Sequence, residues 1–103
     1  MLMVVRIELA GSDMALFEAY EHHVLALLPR HGARLVERLR AKDGSSEIHL
    51  LQFPDAAALD AFRADPARTA VQDMWRACGA SATITEVERW DDRTGGLRFF
   101  SQA

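Results

Sequence analysis

The chain predicts an α+β domain in which four antiparallel strands carry helices on one face, and three observations predict it. Hydrophobic periodicity changes along the chain in the order strand, helix, strand, strand, helix pair, strand. The second and third strands are joined by Asp43-Gly44-Ser45-Ser46, a link short enough to make them antiparallel neighbours. The first and third strands are apolar on both faces, which places them in the middle of a covered sheet. This βαββαβ order is the ferredoxin-like arrangement, with strand order 4-1-3-2 and both helical segments on one face.

The elements follow in turn. Met1 to Leu9 clusters β-branched residues and ends at Gly11-Ser12-Asp13, turn chemistry that also supplies a helix cap. Phe17, Tyr20, Val24, Leu27 and Leu28 recur at three and four residues and predict a helix over about 13–30, with Pro29 and Gly32 at its end. Ala33 to Ala41 is the second strand, with Leu35 and Leu39 on one side and Val36, Arg34, Arg38 and Arg40 on the other. Glu47 to Phe53 returns as the third. Pro54-Asp55 opens a short helix bearing Leu59 and Phe62, and Asp65-Pro66 starts the next, with Val71, Met74, Trp75 and Cys78 on one face. Ala82 to Trp90 is the last strand. The domain is expected to span 1–91. Residues 92–103 form a C-terminal tail whose apolar Leu97–Phe100 is either disordered or reaches a partner subunit.

Composition narrows the function. With 103 residues the chain fits one domain. Its 12 basic and 15 acidic side chains give a net charge of −3, and the isoelectric point is about 5.7. Nucleic-acid binders usually carry a basic patch, so nucleic acid is not expected as a partner. One cysteine, Cys78, rules out an intramolecular disulfide and points to a reducing compartment, with the cytoplasm as default. The apolar run Met1–Val5 is too short to cross a bilayer, and no membrane partner is expected.

Two middle strands apolar on both faces need two covers, and the chain has helices for one. Leaving large aliphatic side chains wet forgoes about 1.5–3 kcal/mol each. A two-fold homodimer joined sheet face to sheet face is the simplest cover.

Several of these residues also carry a resemblance. Tyr20, Val24, Leu28, Gly32-Ala33-Arg34-Leu35-Val36, Arg38 and Gln52-Phe53-Pro54, with Ala57 and Phe62 on the following helix, resemble the dimeric α/β-barrel superfamily over roughly residues 1–90. They are closest to its small bacterial domains of unknown function, and more distantly similar to the antibiotic-biosynthesis monooxygenase-like, EthD-like and NIPSNAP-like families. Ala33 stands where a second glycine is usual, and Gln52 where a carboxylate is usual; the second departure argues against acid–base chemistry at that position. The resemblance implies a dimer with a small-molecule cavity. Relatives that oxidise aromatic substrates without a cofactor, or degrade haem, use an Asn with a Trp and a His or Arg. The chain contains no asparagine, so that constellation cannot be assembled.

Strand alternation, with Phe53 under the helices, sends Gln52 to the partner-facing side, together with Arg38, Arg6 and Glu8. Arg6, Arg38 and Gln52 are the candidate ligand-binding residues there, with Tyr20 as a stacking group. Glu8 and His49 are the candidate catalytic residues, able to transfer a proton. The plainer alternatives are an Arg6–Glu8 ion pair, a core Tyr20 and a helix-packed His49. His22 and His23 point about 100° apart on a helix, His31 lies at a helix end, and no ligand cage is evident, so neither a metal nor a cofactor is expected. Cys78 sits on an apolar stripe and is expected to be inert.

Three functions remain: an enzyme acting on a cyclic or aromatic metabolite, a non-catalytic binding module using the same cavity, and an interaction module with a packed barrel. A perturbed carboxylate or histidine inside a real cavity favours the first. A cavity lined by aliphatics alone favours the second, and no cavity the third.

Overall fold

The computed structural model describes residues 1–90. The expected tail at 92–103, including Leu97–Phe100, lies outside the described residues. Strand β1 (Leu2–Glu8) leads into helix α1 (Met14–Leu25), a 3-10 turn (Leu28–His31) and strand β2 (Arg34–Arg40). Strand β3 (Ser46–Gln52), helices α2 (Ala56–Arg63), α3 (Pro66–Thr69) and α4 (Gln72–Cys78), and strand β4 (Ser81–Val87) complete the chain. The sheet runs β2-β3-β1-β4 with every pairing antiparallel, which is the expected order read from the other edge.

Local chemistry sets the helix ends. The Asp13 carboxylate accepts the Leu16 N–H at 3.1 Å, and Asp55 accepts from Ala58 at 2.8 Å. Helix α1 is shorter than the expected 13–30. Pro29 has no N–H to give and its ring crowds the carbonyl four residues back, so the α-helix closes at Leu25. The chain then tightens into the 3-10 turn and leaves it at Gly32, with φ of 66°. A Cβ at Gly32 would lie 3.0 Å from Pro54 Cγ, so both conformation and space select glycine.

The core lies between the helices and the sheet. Met3 of β1 and Leu51 and Phe53 at β3 meet Tyr20, Val24, Leu59 and Phe62, while Ile7, Phe17 and Cys78 close the other end and Val5 packs against both groups. Phe17 and Phe53 are completely buried, and each such side chain contributes about 1.5–3 kcal/mol. On the opposite face, Leu2, Val4, Ile48 and Leu50 form a half-buried apolar row that no described element covers.

Strand β2 departs from its simple alternation. The β2–β3 register shifts between Leu35 and Glu37, leaving Val36 as the extra residue of a bulge. One added residue reverses every side chain beyond it. Leu35 therefore faces the helices as expected, but Leu39 does not and is 55% exposed. Arg38 and Arg40, expected on the partner-facing side, instead pair across from His49 and Glu47 on the helix face. The bulge corrects the placement of Arg38.

Candidate functional site

A cavity of about 450 Å³ lies between the helices and the sheet, along β3, β1 and β4. Helix α1 supplies Tyr20, Glu21 and Val24, strand β1 supplies Met3, Val5 and Ile7, and α4 supplies Gln72 and Trp75. It opens beside β4, where Ile84 is on the helix-facing row yet 46% exposed, because the helices stop short of this edge strand. Tyr20 and Trp75 stand with ring centroids 5.2 Å apart, and Phe53 and Phe62 are 5.6 Å apart. Apolar walls with a few converging polar groups are the usual make-up of a small-molecule site.

The polar groups have a definite order. His49 and Glu21 both line the cavity and both are almost fully buried. His49 Nδ1 lies 3.6 Å from Glu21 Oε2, and His49 Nε2 lies 2.6 Å from Glu47 Oε2. Glu47 is 2% exposed and sits behind the histidine, away from the cavity lining. It accepts from Arg40 Nε at 2.9 Å and Nη2 at 2.7 Å, and from Arg38 Nε at 3.2 Å. Glu18 closes the cluster by pairing with Arg38 at 3.2 Å and with Arg40. Two guanidiniums thus balance two carboxylates, Glu18 and Glu47, without help from Glu21.

The titration of each group follows from this arrangement. Burial works against ionisation of Glu47, but His49 and the two arginines outweigh it and hold the carboxyl below its ordinary range. An ionised Glu47 can only accept, so His49 Nε2 carries the proton directed at it. Burial keeps the ring neutral by lowering its pKa, which leaves the Nδ1 lone pair facing Glu21. Burial also pushes Glu21 up to about 7, despite the attraction of Arg38 and with the repulsion of Glu47 and Glu18 added. The result is a carboxyl poised near neutrality, at the edge of an apolar cavity, backed by an oriented imidazole.

The structure separates the residues proposed from sequence. Tyr20 and His49 line the cavity. Arg38 stands behind it, reaching the site through Glu47. Arg6, Glu8 and Gln52 lie on the opposite face of the sheet. Arg6 Nε bonds Glu8 Oε1 at 2.7 Å, the plainer alternative for that pair, and both side chains are half exposed. Gln52 donates to the Met1 and Phe53 carbonyls at 3.2 and 3.1 Å. Cys78 is buried in the core as expected.

Glu21, Glu47 and Arg68 were not among the sequence candidates. The first two had a signal. Glu21 falls on the stripe of Phe17, Tyr20 and Val24, and Glu47 shares the parity of His49, Leu51 and Phe53, so each is a carboxylate on an apolar row. Arg68 had none of this kind. Among the described residues, no group of three or more histidine, cysteine or acidic side chains is placed to hold a metal ion, and no helix is long and apolar enough to cross a membrane.

Fold and site together define a ferredoxin-like α+β domain with a buried acid–histidine pair opening into an apolar cavity. No family model and no curated protein matches the sequence. Among solved structures, the chain is similar to SnoaB, a cofactor-independent oxygenase from Streptomyces nogalater, with 19% identity over 86% of this chain and 93% of that one and a TM-score of 0.66. It is also similar to an uncharacterized NIPSNAP domain protein from Burkholderia xenovorans, at 19% identity, covering 88% and 98%, with a TM-score of 0.60. A third is a dimeric ferredoxin-like protein of unknown function from Jannaschia sp. CCS1, at 20% identity, covering 84% and 100%, with a TM-score of 0.60. At these identities the likeness shows the shared fold.

Proposed function

We propose that the protein binds a small, largely apolar, planar molecule in the cavity beneath its helices and moves a proton on it. The observation that carries this reading is Glu21, a carboxyl with a pKa of about 7 facing an apolar cavity beside the neutral His49. A general base works best when its pKa lies near the working pH. In the proposed step the Glu21 carboxylate takes a proton from a carbon next to a carbonyl or from a phenol. The bonding electrons pass onto the substrate oxygen, and the proton returns at the same or another atom. His49 stabilises protonated Glu21 through its Nδ1 lone pair, while Glu47 fixes the ring, as a carboxylate does behind a catalytic histidine. Such a step balances without oxidant or cofactor.

The kinship in fold with a protein described as a cofactor-independent oxygenase supports a small-molecule role and leaves the chemistry to this chain's own residues. The open sheet face is, in this proposal, the face that meets a partner subunit. A second copy covers Leu2, Val4, Ile48 and Leu50, as the dimeric neighbour suggests. Arg6, Glu8 and Gln52 then sit at the subunit junction, where they serve assembly better than chemistry.

The test is solvent exchange. Cyclic ketones and phenols with one or two rings are incubated with the protein in deuterium oxide, and loss of the acidic C–H signal is followed by NMR. Exchange is expected with wild type and should fall by about 10²–10⁴-fold in Glu21→Gln. Binding without exchange for every compound would instead assign a non-catalytic binding module. Absence of both would remove the cavity reading.

A further inference from the structure

The charge of the cavity wall is opposite to that of the chain. The protein carries a net −3, yet the lining holds two arginines, Arg63 and Arg68, against a single carboxyl group, Glu21. Glu21 is pushed up to about 7 by its burial, so below that pH it offers little negative charge.

Arg68 is the less ordinary of the two cations. It belongs to α3, whose start is fixed by Asp65 accepting the Ala67 N–H at 2.9 Å with Pro66 in the first turn. Its guanidinium lies over the Phe62 ring, 5.6 Å from the centroid, and Nη1 donates to the Arg63 carbonyl at 3.3 Å. Its Nε is shielded from solvent and has no hydrogen-bond partner among the described residues. None of the ion pairs among those residues includes it. A buried guanidinium N–H without an acceptor is destabilising, and most such groups in folded proteins are satisfied. Here the stranded donor belongs to a side chain that lines the cavity. An acceptor bound in that cavity would relieve it. Arg38 and Arg40 provide the contrast, since both are paired through Nε and Nη2 with Glu18 and Glu47 and neither lines the cavity.

We infer that the cavity takes a planar organic anion, an aromatic or unsaturated ring system bearing one carboxylate. The ring lies against Tyr20, Phe62 and Trp75, and the carboxylate meets the Nε edge of Arg68, with Gln72 beside it. This rests on the reading that the cavity is a ligand site, and adds the ligand's charge to it. A guanidinium edge suits a carboxylate because two parallel N–H groups match two oxygens.

The experiment titrates wild type with three probes of one shape: 2-naphthoate, its neutral amide 2-naphthamide, and neutral 2-naphthol. Calorimetry gives the affinities, and backbone NMR confirms that binding occurs at the cavity. Naphthoate is expected to bind wild type at least about tenfold more tightly than the amide. In Arg68→Met that preference should fall to near unity while 2-naphthol binds as before. Arg68→Lys, which keeps the charge but loses the flat edge, should weaken naphthoate several-fold and serves if the Met variant misfolds. The inference is overturned if amide and carboxylate bind wild type equally, or if the preference survives in Arg68→Met. Should none of the three probes bind wild type, the cavity reading fails first and this inference with it.

Discussion

Replacing Glu21 with Gln should make the protein more stable at alkaline pH, although it removes a buried side chain's charge and not its bulk. The sign comes from linkage. A carboxyl that ionises at an ordinary 4.5 in the unfolded chain and at about 7 in the folded one keeps its proton longer when folded. Between those values the unfolded state releases a proton that the native state retains, so stability falls as pH rises through that window. The full contribution, at 1.36 kcal/mol per pH unit, is roughly 3 kcal/mol lost by about pH 8. Gln cannot ionise and retains a similar shape, so it escapes the loss. At pH 4 the two proteins should be close in stability; at pH 8 Glu21→Gln should be ahead by roughly 2–3 kcal/mol. His49 contributes in the opposite sense. Its lowered pKa means the unfolded chain binds a proton that the native state refuses, so stability is lost as pH falls below the ordinary histidine value of 6.5. At pH 8 His49 is neutral in folded and unfolded chains alike, so the difference between the two proteins there reads Glu21. Urea denaturation from pH 4 to 8.5, at one protein concentration, supplies the curves. A Glu21→Gln variant that loses ground at pH 8 relative to pH 4 would refute the reasoning, because Glu21 would then be a stabilising carboxylate.

Other expectations follow from the same structure. Leu50→Arg places a charge on the uncovered sheet face and should give monomers or aggregate in sedimentation; a well-folded dimer would contradict the face assignment. Gly32→Ala forces a left-handed φ and a contact with Pro54, and should lower unfolding free energy by about 1–2 kcal/mol or more in urea. An unchanged midpoint would contradict it. Glu47→Gln removes the acceptor that orients His49 and leaves Arg38 and Arg40 without their buried partner. It should both destabilise the fold by about 3–5 kcal/mol and change the His49 ring tautomer in nitrogen-detected NMR; an unaltered tautomer would remove Glu47 from its positioning role.

How much of this was legible before the structure depended on the periodicity involved. The two doubly apolar strands, β1 and β3, announced the centre of the sheet, because no hydrogen-bonding subtlety alters a row of Met3, Val5 and Ile7 against Leu2 and Val4. Strand β2 misled because its bulge at Val36 is set by pairing geometry, which composition does not reveal, and one extra residue carried Arg38 to the other face. Helix α1 is legible from its apolar stripe, but its end is not: the stripe runs on to Leu28, while the Pro29 ring closes the α-helix at Leu25. Of the residues that line the candidate cavity, the sequence reading names Tyr20 and His49 and leaves out Glu21 and Arg68. Glu21 and Glu47 stand on apolar rows, but convergent charges on the partner-facing side give the stronger signal in the sequence. The cavity itself comes from tertiary packing: the helices cover β1 and β3 and leave Ala82 and Ile84 of β4 as an open wall.

We place ligand chemistry beneath the helices rather than on the open sheet face. Titration with 2-naphthol, followed by two-dimensional NMR of labelled side chains, separates the two sites directly. Shifts are expected at Tyr20, Leu59 and Trp75, with Leu2, Val4 and Leu50 unmoved. Shifts confined to Leu2, Val4 and Leu50 would contradict it.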